Sequence, residues 1–310
     1  MHPTPYATPR DTSLDRTAMA GRFFFNNAAL PHLPLETLSA RYKSGEHRRG
    51  VAIPEAFHHP AMNCLLAALP IADLERLSPD LELVKMPQCH ALYESGECPR
   101  HVYFPTTSVA ALHCDFSDGA LAEVALVGND GMLGISLFMG GEATPNRTSV
   151  QIEGYGYRMT GLALKQEFDR GGYLQQLLLR YTQSLITQIA LTAACNRHHK
   201  VEQQLCRVLL SCFDRMPLAT MPLTHELLAN LLGVRRESVS DNASRLQRAG
   251  LIQYVRRHIN IVDRGGLEKA ACECYSVIKA DLNRLKSFVH RNNSVINGHT
   301  CSGGPMAATI

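Results

Sequence analysis

Residues 221–262 read MPLTHELLANLLGVRRESVSDNASRLQRAGLIQYVRRHINIV. Leu227, Leu228, Leu231 and Leu232 give a short helix its apolar side, with Thr224 placed as its N-cap. Gly233 can take the left-handed conformation that ends that helix and turns the chain. A second helix is expected from about Arg236 to Ala249, with Val239, Ala243 and Leu246 inward at spacings of four and three. Arg236, Glu237, Ser240, Asp241, Ser244 and Arg245 then point outward, and Gly250 stops the helix. Leu251-Ile252 and His258 to Val262 read as a small hairpin, a wing. This is helix-turn-helix grammar, with the second helix as the reader. An amphipathic helical hairpin that touches no nucleic acid is the plainer alternative. The order of elements and the local charge argue against it, since 196–264 carries 11 Lys and Arg against 6 Asp and Glu.

The run LGVRRESVSDNASRLQRAGLI joins a glycine turn, an Arg-Glu pair opening the reader helix and a Leu-x-x-x-Gly-Leu-Ile exit. It resembles the winged helix-turn-helix of the cyclic-AMP-receptor/fumarate-nitrate-regulator (Crp/Fnr) family of bacterial transcription regulators. The resemblance implies a homodimer on palindromic double-stranded DNA, with RNA polymerase as a further partner. It places Arg236 and Glu237 on base edges, since a guanidinium fork matches guanine O6 and N7 and a carboxylate accepts from a cytosine amine. Ser240, Asp241 and Arg245 complete the expected base-contacting set. Many relatives carry an arginine where this chain has Asp241, which leaves the half-site open. Arg235, Ser238, Arg256 and Arg257 are expected on phosphates, where they add affinity and salt dependence. For Arg256 and Arg257 a solvated surface role stays open.

Upstream, residues 61–172 change grammar. Two short helices, Asn63 to Leu69 and Ile71 to Leu77, precede strand-like runs at Leu81–Val84, His90–Tyr93, Val102–Phe104, Val109–Cys114, Leu121–Val127, Thr148–Ile152 and Tyr155–Met159. Short strands between glycine-rich turns predict a closed double-stranded jelly roll. The family resemblance reaches here through Tyr93-Glu94-Ser95-Gly96-Glu97 and Arg147-Thr148-Ser149, and implies a cyclic-nucleotide-binding-like domain. The expected effector pocket is Gly134, Ile135, Arg147 and Thr148. Arg147 matches the family's phosphate-binding arginine in type, but Ile135 stands where a ribose-binding carboxylate belongs. Isoleucine cannot accept a hydrogen bond from a ribose hydroxyl, and burying that hydroxyl unpaired is costly. The expectation is therefore no response to cyclic AMP, with an unknown small-molecule effector, or none, in its place.

From Tyr173 to Asn196 there is no Pro or Gly. Leu174, Leu178, Tyr181, Leu185 and Ile189 recur at spacings of four, three, four and four, a seam suited to a twin helix. The resemblance also makes 173–196 the dimerisation helix. A seam packed on the chain's own barrel is the alternative. Residues 197–265 form the expected DNA-binding domain, 266–290 a further helix and 291–310 a disordered tail. Residues 1–60, rich in proline and polar residues around Phe23-Phe24-Phe25, read as a disordered extension.

The expected class is α+β: jelly roll, long helix, winged helix-turn-helix. The ten cysteines include no CxxC pair, and no cysteine–histidine spacing of zinc type is seen, so no metal and no cofactor is expected. No signal peptide opens the chain and no apolar run reaches the roughly 18 residues of a membrane span, which reads as cytoplasmic. No P-loop, HExxH, GxSxG or nucleotide-type GxGxxG occurs, so no enzyme is expected. The rival class is an effector-binding or protein-interaction dimer with a degenerate helix-turn-helix.

Overall fold

A computed structural model describes residues 59–117, 121–141, 143–216 and 220–298. The extension expected at the N-terminus lies outside the described residues up to position 58, as does the tail beyond 298. The first described segment is held by Asn63. Its side-chain oxygen accepts from the amides of Leu65 and Leu66 and caps α1 (Cys64–Ala67), while its Nδ2 donates to the carbonyls of Pro105 and Gly131. A buried amide satisfied on both sides fixes this entrance to the β-domain. Helix α2 (Ile71–Leu77) follows.

Seven strands then form two antiparallel sheets, β1 (Glu82–Met86), β2 (Ala91–Tyr93), β3 (His101–Pro105), β4 (Val109–Asp115), β5 (Leu121–Val127), β6 (Arg147–Ile152) and β7 (Gly154–Thr160). One sheet has the order β1-β7-β3 and the other β2-β6-β4-β5. Each sequence-predicted strand is present within a few residues. Two short helices absent from the sequence reading, α3 (Ser136–Met139) and α4 (Gly161–Asp169), bracket the last two strands.

The four-stranded sheet is apolar on both faces. Ala110, Ala125, Val127 and Val150 point into the β-domain core. Their chain neighbours Val109, Ala111 and Leu126 belong to a second core shared with the C-terminal helices, together with Ile152, which lies beyond a register shift in the β4–β6 pairing. Period-two alternation sends successive side chains to opposite faces, so strands read as near-continuous apolar runs where both faces are covered.

The long helix α5 runs Tyr173–His198 and α6 Val201–Asp214. Here one expectation is corrected. Leu174, Leu178, Tyr181 and Leu185 are buried in the β-domain core of their own chain, and Ile189 packs partly against it. Tyr181 donates to the Met132 carbonyl at 2.8 Å, and a Cβ at Gly131 would collide with its ring. The seam therefore docks the helix onto the barrel and cannot be offered to a twin. The face left open carries Leu179, Gln183, Ile186, Ala190 and Ala193, with Leu179 and Ile186 each 50% exposed.

Helices α7 (His225–Leu232) and α8 (Arg236–Arg248), strands β8 (Ile252–Val255) and β9 (His258–Ile261), and helix α9 (Arg264–Ala270) complete the second unit. The single helix expected after the wing is two: α9 ends at Ala270 and α10 runs Glu273–Gly298, into what was expected to be tail. Helix α10 is anchored where the Tyr275 hydroxyl donates to Asp214 at 2.9 Å. A further departure concerns cysteines. Cys195, Cys272 and Cys274 gather in a small buried cluster of their own, beside His199. The end of α5 and the start of α10 bring together residues more than seventy positions apart, a proximity that linear spacing does not show.

Arg215 joins the units. Its guanidinium pairs with Asp130 at 3.1 Å, donates to the Ser211 carbonyl at 2.9 Å and reaches Gln188 Oε1 at 3.1 Å. Gln188 in turn donates to the Leu126 carbonyl. Nearby, burial pushes the Glu123 carboxyl up to about 8, against the pull of Arg207 and Arg215. Removing one partner of a buried ion pair strands the other charge. Arg215→Ala is therefore expected to destabilise the protein by about 3–5 kcal/mol in urea unfolding; a loss below about 1 kcal/mol would show that the pair joins nothing.

Candidate nucleic-acid interface

Thr224 caps α7 through its hydroxyl to the Leu227 amide at 3.1 Å. Gly233 ends α7 at φ +62°, as the turn requires. Val239, Asn242, Ala243 and Leu246 are buried beneath α8, one residue more than the apolar spacing shows. Asn242 is tolerated there because its Nδ2 donates to the Ser238 carbonyl at 2.7 Å.

The outward face of α8 carries Arg236, Glu237, Asp241, Ser244, Arg245 and Arg248, all exposed, with Arg235 just before it. Arg235 occupies the N-cap position and no side chain caps the helix. The first amides of a 13-residue helix are thus free of a side-chain acceptor, beside two arginines, an arrangement suited to an anion. Arg245, a turn from the C-terminus, faces Glu202 of α6 at 3.5 Å. Ser238 is half-buried.

Ser240 sits differently from its expected role. It is half-buried, and its hydroxyl donates to the Arg236 carbonyl at 3.1 Å. The same oxygen lies 2.9 Å from Nδ1 of His225, within hydrogen-bond reach. The buried Nε2 of His225 has no hydrogen-bond partner among the described residues. Burial, then the charge of Arg236, hold the imidazole below its usual pKa. The same ring stacks on Tyr254 of the wing, with centroids 4.5 Å apart. His225 therefore ties α7, the reader helix and the wing together, and Ser240 is part of that tie. Sequence spacing could not show this, since His225 follows the cap and lies on no apolar stripe.

In the wing, β8 and β9 pair from Ile252–Ile261 to Val255–His258. A third segment joins at Met221, which exchanges both backbone hydrogen bonds with Ile259. The turn between the strands is Arg256-Arg257, at φ +49° and +72°. A two-residue hairpin turn with both central residues left-handed favours Asn-Gly, so two arginines there hold a sparsely populated backbone. Both are exposed at the tip.

The expected effector residues do not form an open anion site. Gly134 adopts φ +92° against Tyr93, Ile135 packs on the β-domain core, and Thr148 is buried on β6. The Arg147 guanidinium faces Glu94 at 3.3 Å.

Comparison with known proteins places this architecture. Residues 203–270 match the family model of the Crp-like helix-turn-helix domain. No curated protein sequence matches the chain. Among solved structures it is similar to FixK2 from Bradyrhizobium japonicum, at 16% identity and TM-score 0.54, over 62% of this chain and 98% of that one. It is also similar to a putative Crp/Fnr-family transcriptional regulator from Eubacterium rectale, at 15% identity and TM-score 0.51, over 66% and 96%. The c-di-GMP-responsive global regulator CLP of Xanthomonas campestris is similar at 14% identity and TM-score 0.51, over 62% and 99%. The chain has the fold of the Crp/Fnr transcription regulators, a β-domain of cyclic-nucleotide-binding type joined to a Crp-type helix-turn-helix. Among the described residues no helix is long and apolar enough to cross a membrane.

Proposed function

We propose that this chain, built on the Crp/Fnr fold, is a dimeric, sequence-specific DNA-binding transcription regulator of the cytoplasm that does not respond to cyclic AMP. The observation that carries the reading is the N-terminal end of α8, where Arg235, Arg236 and Glu237 are exposed on an uncapped helix. Arg236 and Glu237 read base edges, and Asp241 lies one turn further along the same face. The arginine pair at the wing tip holds phosphates, which accounts for arginines where backbone geometry favours Asn-Gly. Arg245, engaged with Glu202, contributes less than its place in the sequence implies.

Dimerisation is assigned to the open face of α5. Leu179, Gln183, Ile186, Ala190 and Ala193 recur at four, three, four and three, the heptad spacing of a two-stranded coil. Leu179→Glu with Ile186→Glu should give folded monomers in analytical ultracentrifugation, whereas Leu178→Glu with Leu185→Glu should unfold the β-domain. A Leu179/Ile186 variant that stays dimeric would move the interface elsewhere.

Cyclic AMP is argued against by Ile135, which offers no ribose acceptor, and by Arg147, already paired with Glu94. Calorimetry should detect no binding of cyclic AMP; micromolar affinity would overturn this part of the proposal.

DNA recognition is tested by selecting bound sites from a random pool and titrating two variants. A bidentate guanine contact is worth about 1–3 kcal/mol of discrimination. Lost from both halves of a dimer, Arg236→Ala should cost about 2–6 kcal/mol on the selected palindrome and little on random DNA. Arg256→Asn with Arg257→Gly should weaken all sequences alike and flatten the salt dependence. Recovery of no palindrome would favour the rival protein-interaction dimer, which Asp241 on the open reader face supports.

A further inference from the structure

The end of the long helix and the start of the last one meet at four side chains that neither the DNA interface nor the β-domain uses. Cys195 lies in the final turn of α5, and His199 is its C-cap residue one turn on. Four residues apart on a helix, the two project from one face. Cys272 and Cys274 lie on either side of Glu273, the first residue of α10. The sulfurs of Cys195 and Cys272 are 3.5 Å apart, and Cys274 Sγ is 3.7 Å from Nδ1 of His199. All four ligand atoms lie within 4.8 Å of one another. Four ligands at tetrahedral zinc distances of about 2.3 Å for sulfur and about 2.0 Å for nitrogen stand roughly 3.5–3.8 Å from each other. The constellation has that size. It is too tight to surround a multi-iron cluster, and the Cys195–Cys272 separation is too long for a disulfide.

We propose that Cys195, His199, Cys272 and Cys274 form a Cys₃His site for one Zn²⁺ ion that staples α10 to the end of α5.

Three further features fit this assignment. First, the remote nitrogen of His199, Nε2, faces the Glu273 carboxylate at 3.2 Å, and the near one faces the sulfurs. A ligating imidazole that donates its other N–H to a carboxylate is the usual arrangement around zinc, and it fixes the tautomer that presents Nδ1 to the metal. Second, the three cysteines are buried against one another and form a cluster without any aliphatic member. Hydrophobic packing alone gives no reason for such segregation. Third, three thiolates, one neutral imidazole and Zn²⁺ leave one net negative charge. The N-terminal end of α10, beside Cys272 and Cys274, favours that negative charge. Binding releases the three thiol protons to solvent and changes no oxidation state.

The backbone around the site is already held. The Gln204 side chain donates to the carbonyls of both Cys195 and His199, at 3.2 and 2.8 Å. Only Lys200 separates His199 from α6, the first helix of the Crp-like unit. The ion would thus sit on the joint between long helix and DNA-binding unit and lock the entry of α10 there. All protein ligands are supplied and no position stays open, which makes the site structural and not catalytic.

The test uses the full chain purified without chelator under reducing conditions. Elemental analysis should give one zinc per chain. Replacement by Co²⁺ should give the intense visible bands and the thiolate charge-transfer absorption of a tetrahedral site. Cys272→Ser with Cys274→Ser should abolish both, and Cys89→Ser, at an exposed cysteine outside the cluster, should change neither. Glu273→Gln provides a second arm that is independent of any loss of fold in the double variant. It should keep the fold and weaken zinc about 10–100-fold in a chelator competition. Chelation of the wild type should speed amide exchange in α10 and in the last turn of α5. Zinc at less than a tenth of an equivalent with no cobalt spectrum would overturn the proposal. So would equal metal content in wild type and double variant, a Cys195–Cys272 disulfide in the reduced preparation, or iron with acid-labile sulfide in place of zinc.

Discussion

The buried contact between Arg215 and Asp130 links the β-domain, the long helix and the C-terminal unit at one point. Arg215 leaves the end of α6, Asp130 sits in the loop after β5, and Gln188 of the long helix completes the set. One guanidinium thus touches the sheet domain, the long helix and the helix-turn-helix unit. Its planar fork can satisfy three acceptors in three directions, which a lysine could not do. The geometry is demanding on all sides, since Gly128 leaves just enough room for the arginine's aliphatic stem. Such an ion pair gives little net stability over a well-packed apolar substitute, because both charges are desolvated. What it fixes is orientation: the shared apolar surface could be buried at several angles, and the charged set is satisfied at one.

Much of the fold was legible because it is written in short-range patterns. Seven strands are bounded by glycine and proline turns, and the reader helix declares itself through Gly233 and the buried spacing of Val239, Ala243 and Leu246. The failures are long-range. Helix α5 has apolar residues on more than one face, and periodicity alone does not say which face meets the barrel and which is left open. Leu178 and Leu185 belong to the barrel; Leu179 and Ile186 do not. A helix lying on its own domain turns the stripe with its largest residues to that domain, and leaves the stripe with smaller ones open.

The candidate interface shows the same division. Exposure of Arg236 and Glu237 follows from helical geometry and was readable. The binding of Ser240 by His225 and the stacking of His225 on Tyr254 depend on how three elements meet, and no local signal carries that. Cys195, His199, Cys272 and Cys274 are the extreme case. As a linear spacing they resemble no metal motif, because one pair is contributed by a helix end and the other by a helix start across the whole helix-turn-helix unit. The double left-handed turn at Arg256-Arg257 is likewise invisible in composition, where the pair is simply basic.

The two-faced sheet of β2-β6-β4-β5 has a bearing on how such a molecule could switch. Val109, Ala111, Leu126 and Ile152 give the helices of the helix-turn-helix unit part of their own hydrophobic core. The reader helix is therefore not on a tether; swinging it means opening that core to water. An effector acting through the β-domain must favour the alternative state by its difference in affinity for the two. To carry the population from 1:99 to 99:1 that difference must reach about 5.5 kcal/mol. A weak or indifferent ligand in the barrel would leave the poise of this molecule where the sheet has set it.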